Sequence, residues 1–128
     1  MDQFLSLPAQ DYLPDEHEYM TYLKKVIRHR CRQAGFRRMT PSLLMEETWA
    51  KKIYGPSDDD LRRVGEIVKD EKRNQTFMLR CDPVVSIARA YLENKMQQWP
   101  QPVELYFIES FLSKNVRGEL VYEDKFGV

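Results

Sequence analysis

The stretch TFMLRCDPVVSIARAYLENKM, residues 76–96, decides the fold because it joins a predicted strand to a predicted helix. Thr76 to Arg80 is a short run of strand-forming residues. Asp82-Pro83 is a favoured helix start, with an acidic cap followed by a proline in the first turn. The helix should bury one apolar face, formed by Val84, Val85, Ala88, Leu92 and Met96.

A long helix is predicted upstream of this unit. Asp15 can cap its first turn, and Glu18 lies three residues on, where it completes a capping box. Gly35 supplies the left-handed stop, so the helix has about 20 residues. Its apolar stripe comprises Tyr19, Tyr22, Leu23, Val26, Ile27, Cys31 and Ala34.

The segments between this helix and residue 76 are shorter. Phe36 to Thr40 predicts a strand that ends at Pro41. Glu46 to Ile53 predicts a second helix, and Asp58 to Arg63 predicts a further helical turn. The polar stretch Lys69 to Gln75 then separates the two arms of a hairpin, Val64 to Val68 and Thr76 to Arg80.

The last third of the chain predicts more strands. Trp99 to Pro102 is a linker that cannot be helical, and Val103 to Ile108 has strand composition. A second hairpin should follow, with Phe111 and Leu112 in one arm, Asn115 to Gly118 at the turn and Leu120 to Tyr122 in the other arm. The whole pattern predicts one α+β domain over residues 1–128, an antiparallel sheet with flanking helices.

The composition argues against binding driven by overall charge and against a membrane protein. Twenty basic and twenty acidic side chains cancel, so no overall field directs the protein to nucleic acid or to a membrane. No apolar stretch approaches the roughly 18 residues that a membrane span needs, so no membrane partner is expected. Cys31 and Cys81 form no CxxC pair, and we expect a reducing cytoplasm.

Motifs for independent chemistry are few. The chain has no glycine-rich phosphate loop, and His17 and His29 lie more than three helical turns apart, so no metal site is predicted. The position of Cys81 just before a helix N-terminus suggests a lowered thiol pKa, although no histidine or acyl-transfer motif accompanies it. Asp82 has two open interpretations, an N-cap or a ligand-binding carboxylate.

Several stretches resemble histidyl-tRNA synthetase, a class II aminoacyl-tRNA synthetase, and they come in that family's order. They are spread across nearly the whole chain: Ala9 to Pro14, Ala34 to Pro41, Thr76 to Asp82, Ile87 to Asn94, Gln101 to Ile108 and Phe126 to Val128. The resemblance implies part of a class II catalytic domain. Motif 1, around residues 19–41, would form a twofold dimer interface, and motif 2 would lie around residues 103–128. Motif 3 would lie beyond Val128 and is absent from this chain.

The family activates histidine with ATP and Mg²⁺ and transfers the histidyl group to tRNA. Its motif 2 arginine aligns with Ser113 or Lys114 here, and the neighbouring glutamate aligns with Asn115. Lysine would keep a charge but lose the planar fork that binds two oxygens. Motif 2 is therefore degenerate, and we assign no catalytic residue, no ATP-binding residue and no retained cofactor.

One ligand position is kept. The family's glutamate that holds the histidine ammonium aligns with Asp82, which we predict as the amino-acid-binding residue. Its companion threonine is Val84, and the return-strand glutamine is Lys125, which would place a cation near a site for a cationic group. Histidine and tRNA are the ligands that the resemblance implies. The basic run of α-helical residues from Lys24 to Arg32, continued by Arg37 and Arg38, is either a solvated face or a tRNA contact.

Three functions remain open at this stage. The first is a fragment or shortened paralogue of histidyl-tRNA synthetase that is deficient in charging, and whether it is an enzyme stays uncertain. The second is a non-catalytic module similar to the synthetase-like regulatory subunit of ATP phosphoribosyltransferase. The third is a dimerisation unit that binds no small molecule. In each case we expect a homodimer through residues 19–41.

Overall fold

Two three-stranded sheets and four α-helices build the part of the chain that the structure, a computed structural model, describes, residues 11–128. The elements in chain order are α1 Pro14–Gln33, β1 Arg37–Arg38, β2 Leu44–Glu46, α2 Glu47–Tyr54, α3 Asp58–Val64, β3 Ile67–Asp70, β4 Gln75–Leu79, α4 Pro83–Glu93, β5 Leu105–Lys114 and β6 Leu120–Gly127. A short 3-10 helix, Met96–Gln98, follows α4. The α+β prediction is confirmed. Ala9 and Gln10 of the predicted opening segment lie outside the described residues.

The sheets are antiparallel with one exception. One sheet has the order β2-β4-β3, and the other has the order β1-β5-β6. In the second sheet β5 and β6 form a long antiparallel hairpin, whereas β1 runs parallel to β5. The Arg37 N–H donates to the Glu104 carbonyl at 3.0 Å, and the Met39 N–H donates to the Tyr106 carbonyl at 2.9 Å. The prediction of an antiparallel sheet was therefore wrong for β1. Residues 39–104 form a long connection between β1 and β5, which allows the two strands to run parallel.

Helix α1 begins one residue earlier than its predicted cap. Pro14 occupies the first helical position and Leu13 is the N-cap, with no side-chain hydrogen bond, so the predicted capping box at Asp15 is wrong. The predicted stop at Gly35 is confirmed. Gly35 has a φ of +89°, and the Phe36 N–H donates to the Cys31 carbonyl at 2.9 Å. This is the left-handed ending that glycine adopts without steric cost.

Only part of the predicted stripe of α1 packs. Leu23, Ile27 and Cys31 are half-buried, as is Met20, which the prediction omitted. Tyr19 and Tyr22 are each 63% exposed. Seven apolar positions span more than one face of a helix, so the sheet can cover only some of them. Within residues 11–128, no helix combines the length and the apolar character that crossing a membrane requires.

The middle of the chain forms the main core. Helix α2 lies within one residue of its prediction, and α3 begins with a capping box in which the Asp60 N–H donates to Ser57 Oγ at 3.1 Å. Strand β2 was not predicted, because three residues are too few to show an alternating pattern. The buried cluster comprises Met45, Ala50, Leu61, Met78 and Cys81.

Helix α4 presents a different face from the predicted one. Val84, Ala88 and Leu92 are exposed, Val84 by 74%. The buried positions are instead Ser86, Arg89 and Ala90. Both sets recur at helical spacing, and which of them is buried depends on the elements that pack against α4, which the helical period does not specify. Val85 and Met96 of the predicted face do pack inward.

The β5–β6 hairpin closes the fold. Strand β5 runs unbroken through both predicted pieces, and the predicted turn lies between β5 and β6. The rings of Phe107 and Phe111 meet edge to face, with centroids 6.0 Å apart. Gly127 lies against Phe107 so closely that an added Cβ would be 2.9 Å from the ring. The hairpin therefore packs tightly at the end of β6.

Candidate functional site

Arg80 links the two sheets at the point where β4 ends. Its Nε donates to the Ser110 carbonyl at 2.7 Å, and its Nη1 donates to the Pro41 carbonyl at 2.9 Å. Nη2 lies 3.4 Å from Glu109 Oε2, and the guanidinium lies 5.4 Å from the centroid of the Phe111 ring. The side chain is only 11% exposed. All its donor groups thus serve the junction between the sheets.

The backbone at this junction brings the candidate residues of two segments together. The Leu112 N–H donates to the Arg80 carbonyl at 3.1 Å. Residues 81 and 82 therefore follow directly beside the part of β5 that contains Ser113 and Lys114. The structure thus places Asp82 next to Ser113 and Lys114, which the sequence analysis singled out in two separate stretches of the chain.

Asp82 is the N-cap of α4. Its Oδ1 accepts hydrogen bonds from the Val84 N–H at 2.9 Å and the Val85 N–H at 3.3 Å. The side chain is half-buried. The capping interpretation is confirmed, and binding of an amino acid at this carboxylate stays a prediction.

The residues at the predicted motif 2 positions differ in whether their side chains already have a partner. Ser113 is half-buried on β5. Lys114 Nζ lies 2.9 Å from Glu66 Oε1, and the lysine side chain is only 15% exposed. The one cation at this position is therefore neutralised by a carboxylate from the segment before β3.

Asn115, which the resemblance aligns with a glutamate, is used inside its own turn. Its Oδ1 accepts from the Arg117 N–H at 2.9 Å and from the Glu119 N–H at 3.0 Å. The Gly118 N–H donates to the Asn115 carbonyl at 2.9 Å, and Val116 at the tip is fully exposed. One side chain thus organises the whole connection between β5 and β6.

The lowered thiol pKa suggested for Cys81 is wrong. Burial raises the pKa of the Cys81 thiol, because the thiolate would lose its hydration, and this outweighs the lowering effects of the hydrogen bond with Tyr54 and of the charge of Lys125. The thiol donates to the Tyr54 hydroxyl at 3.3 Å. Burial also raises the pKa of the Tyr54 hydroxyl, and the hydrogen bond with Cys81 raises it further. The pair belongs to the core.

Lys125 lies on β6 opposite Glu109, and its Nζ is 3.5 Å from Glu123 Oε2. Its charge lowers the pKa of the Cys81 thiol, so Lys125 lies near the end of β4, and its place beside an amino-acid site stays a prediction. Among residues 11–128, no three His, Cys, Asp or Glu side chains come together as a metal site would require.

A cleft of about 320 Å³ between α1 and the β5–β6 hairpin was not predicted. On one side, Tyr12 and Ser110 both donate to the carboxylate of Asp124. The hydrogen bond to Asp124 raises the pKa of Tyr12 to about 12. The sequence offered no signal for this contact, because its parts lie far apart in the chain. The apolar lining comprises Met20, Leu23, Ile27, Ile108 and Phe126.

Known proteins give the family context of this geometry. No protein-family model matches the chain. The histidine–tRNA ligase of Desulfitobacterium hafniense (strain DSM 10664 / DCB-2) is 34% identical over 100 residues, which are 78% of this chain and 23% of that protein. The chain is histidyl-tRNA synthetase-like. The histidine–tRNA ligase of Acetivibrio thermocellus is 27% identical to this synthetase-like chain over 122 residues, 94% of it and 29% of the ligase.

Solved structures agree on the fold of the synthetase-like chain. The apo histidyl-tRNA synthetase of S. aureus superposes with a TM-score of 0.70 at 18% identity, over 93% of this chain and 30% of that one. An ATP phosphoribosyltransferase regulatory subunit/histidyl-tRNA synthetase from Bacillus halodurans C gives a TM-score of 0.70 at 14% identity, over 94% and 30%. The chain spans about a quarter to a third of the length of these relatives.

Proposed function

We propose that this chain is a synthetase-like module that keeps part of the catalytic fold but does not activate histidine. The observation that carries the proposal is the state of the motif 2 position. Ser113 has no charge, and Lys114 is bound to Glu66 at 2.9 Å. Activation needs a cation that meets the negative charge developing on the α-phosphate and the attacking carboxylate.

The loss of histidine-activating activity should be large. A guanidinium offers two parallel N–H donors to two oxygens, and a serine hydroxyl offers one uncharged donor. Moving Lys114, whose side chain is 15% exposed, to a ligand would first break its ion pair with Glu66. Removal of one preorganised charge-stabilising donor typically lowers kcat by about 10² to 10³.

Histidine-dependent exchange of pyrophosphate into ATP tests the proposal. The D. hafniense ligase serves as the positive control, and this chain should give no exchange above background. Calorimetry should likewise detect no ATP binding with a Kd below about 10 µM, or roughly 7 kcal/mol. Exchange that Lys114→Ala abolishes, and that the exposed control Lys72→Ala leaves intact, would instead assign the clamp to Lys114.

We also propose that histidine, if it binds, is held through Asp82. The carboxylate lies beside the motif 2 segment and is only half-buried, so it can meet an α-ammonium while it caps α4. Thermal stabilisation by millimolar histidine, present in the wild type and absent in Asp82→Asn, would support this role. Equal stabilisation of both proteins would exclude it.

The partners follow from the same resemblance. We propose a homodimer through residues 19–41, supported by the outward-facing Tyr19, Tyr22 and Val26 of α1, and contact with tRNA as the family's polymer substrate. We place the chain in the cytoplasm, a reducing compartment in which the free thiols of Cys31 and Cys81 persist. Sedimentation at micromolar concentration tests the dimer.

A second candidate function is a regulatory one. The Bacillus halodurans protein, whose name covers both a regulatory subunit and a synthetase, matches this chain with the same TM-score as the S. aureus synthetase. A regulatory module should change the activity of an ATP phosphoribosyltransferase catalytic subunit in a histidine-dependent way. No effect on that subunit, with a dimer that still forms, would favour the first proposal.

A further inference from the structure

Lys114 at the end of β5 and Glu66 just before β3 form an ion pair whose two members are unequally buried. Lys114 Nζ lies 2.9 Å from Glu66 Oε1. The lysine side chain is only 15% exposed, whereas the glutamate side chain is 39% exposed. The ammonium therefore depends on its partner to offset its lost hydration, while the carboxylate keeps access to water.

The backbone on both sides of this ion pair is held by hydrogen bonds of the sheets. The Leu79 N–H donates to the Glu66 carbonyl at 2.9 Å, which ties Glu66 to the end of β4. Lys114 lies opposite Leu120 in the β5–β6 hairpin. The pair can therefore separate by rotation of the Glu66 side chain into solvent, and neither sheet has to move.

No neighbouring group can take over the role of Glu66. Among residues 11–128, no other carboxylate lies within ion-pair distance of Lys114. Ser113 is uncharged, and the Asn115 side-chain oxygen is already used inside its own turn. Without Glu66, Lys114 would be a mostly buried cation with no anion, and such a group strongly favours binding one.

A second ion pair of the chain shows the opposite distribution of exposure. Asp70 is 39% exposed, as Glu66 is, but its partner Arg73 is 78% exposed, with Nε and Oδ2 3.8 Å apart. Water solvates that guanidinium whether or not the carboxylate is present. The dependence of the cation on its carboxylate is therefore a property of Lys114 and does not extend to every ion pair of this chain.

We propose that Glu66 is an autoinhibitory residue. Its carboxylate occupies the place at Lys114 that an oxyanion of a phosphate-bearing ligand would otherwise take, so the ion pair closes this position to anions. The proposal rests on the proposed function, because it gives the reason why the cation at the motif 2 position takes no part in histidine activation. A purely structural ion pair would instead contribute to stability and leave no anion site when Glu66 is replaced.

An NMR titration of the whole 128-residue chain with inorganic pyrophosphate at low salt tests this proposal. Glu66→Gln keeps the shape of the side chain and removes its charge. The variant should bind pyrophosphate about 10- to 100-fold more tightly than the wild type, since a charged hydrogen bond to a poorly hydrated ammonium becomes available. The amide signals of residues 113–115 should shift during the titration.

Two further variants locate the effect. Asp70→Asn removes the same charge at the same exposure and should keep the wild-type affinity, which excludes a general effect of net charge. The double variant Glu66→Gln/Lys114→Met lacks the cation and should lose the gain in affinity. If Glu66→Gln does not fold by circular dichroism, Glu66→Asp takes its place, because its shorter side chain loosens the pair; it should bind at least about threefold more tightly than the wild type.

The outcomes separate this proposal from the proposed function. A gain in affinity in Glu66→Gln that Lys114→Met removes supports the autoinhibitory contact, whether or not pyrophosphate exchange appears. Equal affinities of the wild type and the Glu66 variants would overturn it, as would an equal gain in Asp70→Asn, and neither result would alter the absence of activation. Histidine-dependent exchange by the wild type would instead overturn the proposed function and, with it, the view that Glu66 closes the site.

Discussion

Replacing Arg80 with methionine should weaken the junction between the two sheets and lower the free energy of unfolding. The methionine side chain fills a similar volume but provides no donors. The carbonyls of Ser110 and Pro41 would lose partners at 2.7 and 2.9 Å, and Glu109 would lose a cation at 3.4 Å. Pro41 is fully buried, so water cannot readily replace the lost donor at its carbonyl.

The expected cost follows from these contacts. Each hydrogen bond from a charged donor contributes about 1.5 to 3 kcal/mol, and removing one partner of a buried charge pair costs about 3 to 5 kcal/mol. These contributions overlap, so we expect a total loss of about 3 to 5 kcal/mol for Arg80→Met. Such a loss lowers the Tm of a domain of this size by roughly 10 to 20 °C.

Urea and thermal unfolding followed by circular dichroism measure this loss. The control is Arg63→Met, an arginine 79% exposed whose aspartate lies at 3.9 Å, which should change stability by less than about 0.5 kcal/mol. Arg80→Lys should fall between, because lysine keeps the charge without the fork. A loss below about 1 kcal/mol in Arg80→Met would refute the view that Arg80 holds the junction.

Three further predictions concern a cap, acid stability and association. Asp82→Asn should leave stability within about 0.5 kcal/mol and Asp82→Ala should cost about 1 kcal/mol in urea unfolding, and equal losses would contradict the capping role. Hydrogen bonds with Ser57 hold the pKa of Asp60 below its usual value, so its stabilisation is complete above about pH 4 and is lost as the pH falls. Thermal melts of Asp60→Asn should therefore depend less on pH in acid, and an unchanged dependence would count against this. Tyr19→Ser/Tyr22→Ser should weaken the proposed dimer at least about tenfold in sedimentation, and an unaltered constant would remove these tyrosines from the interface.

Local rules predicted the helix ends well. The glycine stop at Gly35 and the Asp82-Pro83 helix start both appear where the sequence placed them, because each depends only on neighbouring backbone groups. The cap of α1 shows the limit. Leu13 and Asp15 both lie next to Pro14, and the fixed φ of proline placed the helix start ahead of the better capping side chain.

Long-range features were not accessible in the same way. The buried face of α4 depends on which elements pack against it, and two sets of residues satisfied the helical period. The role of Arg80 needed contacts with residues 30 and 39 positions away along the chain. The candidate site was predictable only in part. The resemblance assigned Asp82 and Ser113 to one site, but only the structure shows that Glu66 pairs with Lys114.

The turn organised by Asn115 has a practical consequence for labelling. Because the Asn115 side chain and backbone supply the hydrogen bonds that close the loop, the side chain of Val116 contributes nothing to its closure and projects fully into solvent. A cysteine introduced there would be far more accessible than the buried Cys81 and the half-buried Cys31. A thiol-directed dye at this tip would give the chain a reporter attached to the β5–β6 hairpin, within the motif 2 segment, at a side chain that makes no packing contact.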